Sequence, residues 1–217
     1  MSLLLSGGGD SHCVVPLDEL FISHIDLDKT VLYIPVAMEA SVFSYEQCLD
    51  WFTSTYLPFG ITNVEMCTDL CLISSLHKYA AVFIGGGNTF KLLKAIKESR
   101  LDVRLTDYFN SGGFIYGGSA GAIIFGKTIK PALHADANNV GLEDLTGLNL
   151  VHGYDIWCHY SDKDNDYIKD YDNDLYILYE ESGLYIHNNK IDGIGKLFLK
   201  KCLREVTILS EVNACDS

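Results

Sequence analysis

Phe114-Ile115-Tyr116-Gly117-Gly118-Ser119-Ala120-Gly121-Ala122 decides the fold. An apolar, β-branched and aromatic strand runs into a Gly-x-Ser-x-Gly turn, and the apolar segment Ala120 to Phe125 that follows can bury a helix. Strand, tight turn and helix in that order lift a serine hydroxyl out of a sheet. Only small residues fit around such a turn: the serine backbone is strained, and side chains at Gly117 or Gly121 would collide where strand and helix close together. The first free N–H groups of the helix are placed to receive negative charge. Glycine-rich strand-to-helix turns can also hold phosphates or merely reverse the chain, so the pentapeptide needs its context.

On either side, apolar strands alternate with helical segments. Leu3-Leu4-Leu5 ends in Gly7-Gly8-Gly9, and Val31 to Val36, Ile61 to Met66 and Ala80 to Ile84 read as further strands. Ser44-Tyr45-Glu46-Gln47 has the form of a capping box, with Cys48, Leu49 and Phe52 following at helical spacing. Thr89 to Glu98 is an amphipathic helix directly after Gly85-Gly86-Gly87. Fully apolar strands separated by helices predict an α/β fold, a mostly parallel sheet sandwiched by helices with its site at the carboxyl ends of the strands.

The last third differs. Asp162 to Asp174 is dense with acids, and Tyr167, Ile168, Tyr171, Leu175 and Leu178 predict the buried stripe of a helix whose acids face solvent rather than a cation. Leu184 to His187 and Lys190 to Ile194, joined by Asn188-Asn189, read as a β-hairpin. Leu197 to Leu199 and Val206 to Leu209 read as another pair of strands.

With 217 residues, 48% of them hydrophobic, the chain can bury a full core and is expected to form a single α/β domain over residues 1–217. The formal net charge of −13 argues against nucleic acid and anionic membrane as partners, because the long-range field repels phosphate. Leu3 to Leu5 is too short for a secretory or membrane segment, and no stretch approaches roughly 18 apolar residues. A cytoplasmic protein is expected. Seven scattered cysteines, an odd number, suggest reduced thiols rather than a disulfide framework. Cys67 and Cys71 lack a second pair, so they read as buried apolar residues rather than zinc ligands, and no metal or cofactor is expected. Cys158 and His159, adjacent on a strand, would point to opposite faces and so would not form a thiol–imidazole pair.

A second loop converges on the serine. The glycines of Ile84-Gly85-Gly86-Gly87-Asn88-Thr89 let a backbone N–H approach a ligand closely, and amides of Gly87 and Ala120 would together make an oxyanion hole. Gly86 and Asn88 are expected to line the substrate. The alternative of a phosphate cradle lacks a third glycine and any Gly-Lys-Ser or Gly-Lys-Thr.

Together, Ile84-Gly85-Gly86-Gly87-Asn88-Thr89-Phe90 and Tyr116-Gly117-Gly118-Ser119-Ala120-Gly121-Ala122, about thirty residues apart, resemble the aspartyl dipeptidase (peptidase E) and cyanophycinase family of serine peptidases. The resemblance takes in Tyr33-Ile34-Pro35 and His159-Tyr160 and covers roughly residues 3 to 195. It implies a fold related to class I glutamine amidotransferases and a Ser-His-acid triad without a cofactor. By position it makes Ser119 the nucleophile, His159 the general base, and Gly87 and Ala120 the oxyanion donors; His134 and His152 compete for the base. The family's acid falls some fifteen to eighteen residues after the serine, which selects Asp136, with Glu143 and Asp144 as alternatives. Such an acid would hold the imidazole tautomer and stabilise the imidazolium. Around the histidine, Cys158-His159-Tyr160-Ser161-Asp162 replaces the family's proline-histidine-phenylalanine arrangement, and no downstream arginine matches the one expected to hold an acidic substrate. Both departures argue against Asp-specific dipeptidase activity.

The expected activity is therefore hydrolysis of small or accessible peptides through an acyl-enzyme on Ser119, with a peptide as partner and a homodimer left open. Two other classes remain: a binding or regulatory module of the same fold with an incomplete triad, and an amidotransferase-like amidase, which would normally present cysteine at the elbow.

Overall fold

The computed structural model describes residues 1–9, 14–202 and 206–210. In chain order its elements are β1 (Ser2–Ser6), α1 (Val15–Ser23), β2 (Val31–Ile34), α2 (Tyr45–Tyr56), β3 (Val64–Met66), β4 (Ala81–Ile84), α3 (Thr89–Glu98), α4 (Leu101–Asn110), β5 (Phe114–Gly118) and α5 (Ala120–Ile123). They continue with β6 (Asp155–Trp157), α6 (Asn165–Lys169), β7 (Leu175–Leu178), β8 (Gly183–His187), β9 (Lys190–Ile194), β10 (Leu197–Lys200) and β11 (Val206–Ser210).

Seven strands form one sheet in the order β3-β2-β4-β5-β1-β8-β9. Neighbours from β3 to β1 are parallel, and only the β1–β8 and β8–β9 pairs are antiparallel. Because side chains alternate across a strand, each apolar strand feeds two cores. Leu4, Tyr33, Phe83 and Tyr116 pack against Phe21 of α1 and Phe52 and Tyr56 of α2. Leu3, Leu5, Leu32, Ile84 and Ile115 pack on the opposite side with Phe90, Leu93, Leu105 and Ala122, which come from α3, α4 and α5. The α/β architecture with a mostly parallel sheet is thus the one its apolar runs predicted.

Four strands make a second sheet, β11-β10-β7-β6, in which only β6 and β7 run parallel. It carries the two antiparallel strands expected near the end of the chain, and the expected hairpin is β8 and β9. Asn188 and Asn189 both have positive φ, 47° and 61°, as a two-residue turn between twisted strands requires. The capping box at Ser44 is also present: the Ser44 hydroxyl accepts from Gln47 N, and Gln47 Oε1 accepts from Ser44 N.

The acid-rich stretch folds differently from expectation. The helix across residues 162–174 shrinks to α6, and Leu175 and Leu178 lie in β7, all four residues of which are buried. A short run such as Leu-Tyr-Ile-Leu fits either structure by periodicity alone; β7 is a strand because β6 and β10 satisfy its backbone on both sides. The third strand is also shorter than expected, Val64–Met66, and α1 and α4 carried no prediction.

Candidate active site

Chain direction in the parallel sheet brings the carboxyl ends of β1, β4 and β5 together, and the loops leaving them build the site. Ser119 follows β5 with φ 52° and ψ −112°, a strained conformation for a residue with a side chain, and its N–H donates to the Ser6 carbonyl at 3.0 Å. Crowding explains the flanking glycines. A Cβ on Gly117 would stand 2.3 Å from the Gly121 carbonyl oxygen, and one on Gly121 would stand 2.3 Å from that of Ile84.

His159 comes from the second sheet, two residues beyond β6. Its N–H donates to Gly7 O at 3.0 Å, tying the loop after β6 to the loop after β1, and its φ is 55°. The ring lies against Gly8, where a Cβ would meet Cε1 at 2.1 Å. Nε2 is 2.6 Å from Ser119 Oγ, and Nδ1 is 3.0 Å from Oε1 of Glu180 in the turn between β7 and β8. A carboxylate opposite Nδ1 favours a proton on that nitrogen and leaves Nε2 free to accept from the serine hydroxyl. Serine, imidazole and carboxylate are therefore in series, with the His159 and Glu180 side chains 46% and 60% exposed.

The expected acids lie elsewhere. Asp136 Oδ2 accepts from Thr89 N at 2.8 Å and so caps α3 instead of touching His159. Asp144 pairs with Lys97 at 2.6 Å, which together with the amide and hydroxyl of Thr146 holds its carboxyl down to about 2. Glu143 is exposed on the same loop. Glu180 was missed because the apolar run before it read as helix; taken as a strand beside β6, that run places the first acid after it next to His159, two residues beyond β6. Of the competing histidines, His134 stacks on Trp157 with ring centroids 4.0 Å apart, and His152 is exposed. Neither lines the cavity at Ser119. Cys158 is buried, and desolvation pushes its thiol well above the usual range, so the thiol stays protonated.

Gly86 faces Ser119, and Gly87 lines the same cavity with its Cβ position against the Ala37 backbone at 2.4 Å. A Cβ on Gly86 would be 3.2 Å from Ser119 Cβ, and among the described residues no backbone carbonyl accepts from the amides of Gly86, Gly87 or Ala120. Asn88 is turned away: its Oδ1 accepts from Lys91 N to cap α3, and its Nδ2 donates to Ala137 O. Cys48, Cys67, Cys71, Cys158 and Cys202 are free thiols, while Cys13 and Cys215 lie outside the described residues; contrary to expectation, Cys71 is exposed and Cys67 only half-buried, because both sit in the connection after β3 rather than on a packed face.

A cavity of about 480 Å³ opens beside the serine. Ser119, His159, Gly86 and Gly87 form one end, and Tyr33, Phe83, Tyr116, Cys48 and Tyr56 form its walls. Met38, Val42, Phe43 and Trp51 add an apolar mouth.

An α/β sheet that presents an elbow serine to a histidine at its carboxyl edge defines a hydrolase of the serine type. Comparison with known proteins narrows the class: the model of peptidase family S51 matches residues 2–193, and the chain belongs to that family of serine-type peptidases. The uncharacterized peptidase Lmo0363 of Listeria monocytogenes is 31% identical over 144 residues, 64% of this chain and 69% of that one. Peptidase E of Salmonella arizonae is 26% identical over 132 residues, 61% of this chain and 55% of its own length. Among solved structures, a Listeria monocytogenes EGD-e protein with a provisional peptidase E designation superposes with a TM-score of 0.73 at 24% identity, covering 89% of this chain and 97% of that one. A peptidase from an acI-B1 actinobacterium has the same fold, with a TM-score of 0.70 at 18% identity over 98% of this chain and 95% of that one.

Proposed function

We propose that the protein hydrolyses small or accessible peptides through an acyl-enzyme on Ser119, with His159 as general base and Glu180, rather than Asp136, as the carboxylate that positions it. The observation that carries this reading is the Ser119–His159–Glu180 series, with separations of 2.6 and 3.0 Å, at the end of an open cavity. Ser119 Oγ attacks the peptide carbonyl carbon while its proton passes to Nε2. The oxygen of the tetrahedral intermediate is stabilised by amides of Gly87 and Ala120, and the proton on Nε2 then goes to the departing amine. A water deprotonated by the same nitrogen releases the acid and restores the serine.

A reducing, cytoplasmic setting is part of the proposal and is supported by the free thiols. Among the described residues, no helix is long and apolar enough to cross a membrane. Asp-specific cleavage is not part of it: among the described residues, no lysine or arginine lines the cavity to hold an acidic side chain. The test is stoichiometric labelling by a fluorophosphonate together with peptide turnover. Both are expected in the native chain, with labelling absent in Ser119→Ala and turnover lost in His159→Ala. A folded protein that neither labels nor cleaves would instead be a binding module of the same fold.

A further inference from the structure

Asp18, on α1, is 1% exposed and lines the cavity that opens at Ser119. Its Oδ1 accepts from the Tyr56 hydroxyl at 2.8 Å and from the Tyr116 hydroxyl at 3.4 Å, and no donor among the described residues is directed at Oδ2. Two neutral donors do not neutralise a carboxylate, and desolvation raises Asp18 to about 6, so near neutrality this buried group carries most of a charge that no cation among the described residues pairs with. Among the described residues that line the cavity, only Asp18 and His159 are ionisable to a charge near neutrality, and the walls are largely aromatic, with Phe83 and Tyr116 stacked 4.5 Å apart.

Building on the serine-peptidase reading of Ser119, we infer that the cavity is the specificity pocket for a basic side chain, lysine or arginine, flanking the scissile bond, with its charged head at Asp18. A largely apolar cavity with a buried carboxylate in its lining suits a side chain with an aliphatic stem and a cationic tip. The aromatic faces add cation–π attraction along the way. A peptide's α-ammonium carries no such stem and would gain nothing from the apolar walls. The net charge of −13 acts in the same direction, drawing cationic peptides toward the chain. Asp18 belongs to α1, which had no sequence prediction, and reaches the cavity only through packing of α1 and α2 on the sheet.

The experiment compares kcat/KM for peptides that differ only at the residues flanking one cleavable bond: lysine, arginine, norleucine or glutamate. Lysine or arginine on one side of the bond is expected to exceed norleucine by roughly 10- to 100-fold, the range of a charge-assisted hydrogen bond. Asp18→Asn should bring that ratio close to unity while fluorophosphonate labelling of Ser119 persists. Labelling and cleavage without a basic preference in the native chain would overturn the pocket assignment and leave the peptidase reading standing. Absence of labelling and of all cleavage would overturn the peptidase reading. The pocket itself is then read by calorimetry with n-butylammonium: binding that Asp18→Asn abolishes supports a cation site at Asp18, and no binding to the native chain overturns it.

Discussion

Replacing Glu180 with Gln separates an exposed positioning carboxylate from the buried acid of a tightly enclosed triad. Oε1 stands 3.0 Å from His159 Nδ1 in a side chain that is 60% exposed. At that separation a carboxylate and an imidazolium attract by about 1.4 kcal/mol in bulk water and about 5.5 kcal/mol at an effective dielectric of 20. With more than half of the carboxylate side chain in solvent, the water-like end governs, and about 1.5 to 2.5 kcal/mol of transition-state stabilisation is at stake, a loss of roughly 10- to 100-fold in kcat. Converting a buried triad aspartate to asparagine costs about 10⁴-fold, in large part because the amide permits the wrong tautomer. Here solvent can re-solvate the imidazolium, so the penalty is smaller. The assay measures kcat and KM separately on one peptide for the native chain, Glu180→Gln and Glu180→Asp. KM should stay within about twofold, because Glu180 does not touch substrate, and aspartate should recover part of the rate by restoring a carboxylate. An unchanged kcat in Glu180→Gln, or a loss equal to that of His159→Ala, would refute the reasoning.

Gly8→Ala should displace the imidazole, since the new methyl would sit 2.1 Å from Cε1 at a φ of 104°; kcat/KM is expected to fall at least about 100-fold, and normal turnover would contradict the packing. Asp136→Ala removes the acceptor for Thr89 N and should lower stability to denaturant by about 1 kcal/mol while leaving turnover nearly intact, whereas a large kinetic defect would restore Asp136 to the triad. Asp18→Asn should stabilise the fold at pH 7.5. Because the folded carboxyl sits at about 6 rather than 3.8, the native state binds the proton more tightly than the unfolded chain, so stability falls as pH rises from about 4 to about 6. The facing tyrosines, Tyr56 and Tyr116, stay protonated throughout because burial raises both hydroxyls well above their ordinary range. The native chain thus carries a penalty of up to about 3 kcal/mol at pH 7.5 that the amide lacks, and the two proteins should converge near pH 4 in urea unfolding; a gap independent of pH would show that burial does not strain Asp18.

What could be read in the sequence was local. Residues 114–122 hold in nine positions everything an elbow needs, so Ser119 and the glycines that crowd it were legible without coordinates, as were the paired asparagines of the β8–β9 hairpin and the Ser44 capping box. The alternation of apolar strands with helices was enough for a parallel sheet with its site at one edge. His159 was named by resemblance and then found at 2.6 Å from the serine, because the loop after β6 is hydrogen-bonded to the loop after β1. Asn88 and Asp136 had the right chemistry at plausible positions, but both cap α3, since unsatisfied N–H groups at a helix start compete for any nearby acceptor.

Glu180 and Asp18 depended on tertiary structure. One lies 21 residues beyond the histidine at the end of a strand whose identity rests on pairing with β6 and β10. The other lies 101 residues before the serine on a helix that acquires its place only by packing against the sheet. Periodicity and turn chemistry act over a few residues, so they determine which elements form and where the nucleophile stands. Which carboxylate meets the imidazole, and which one lines the cavity, depends on sheet order and helix packing, contacts between segments far apart in the chain that no short stretch of sequence encodes.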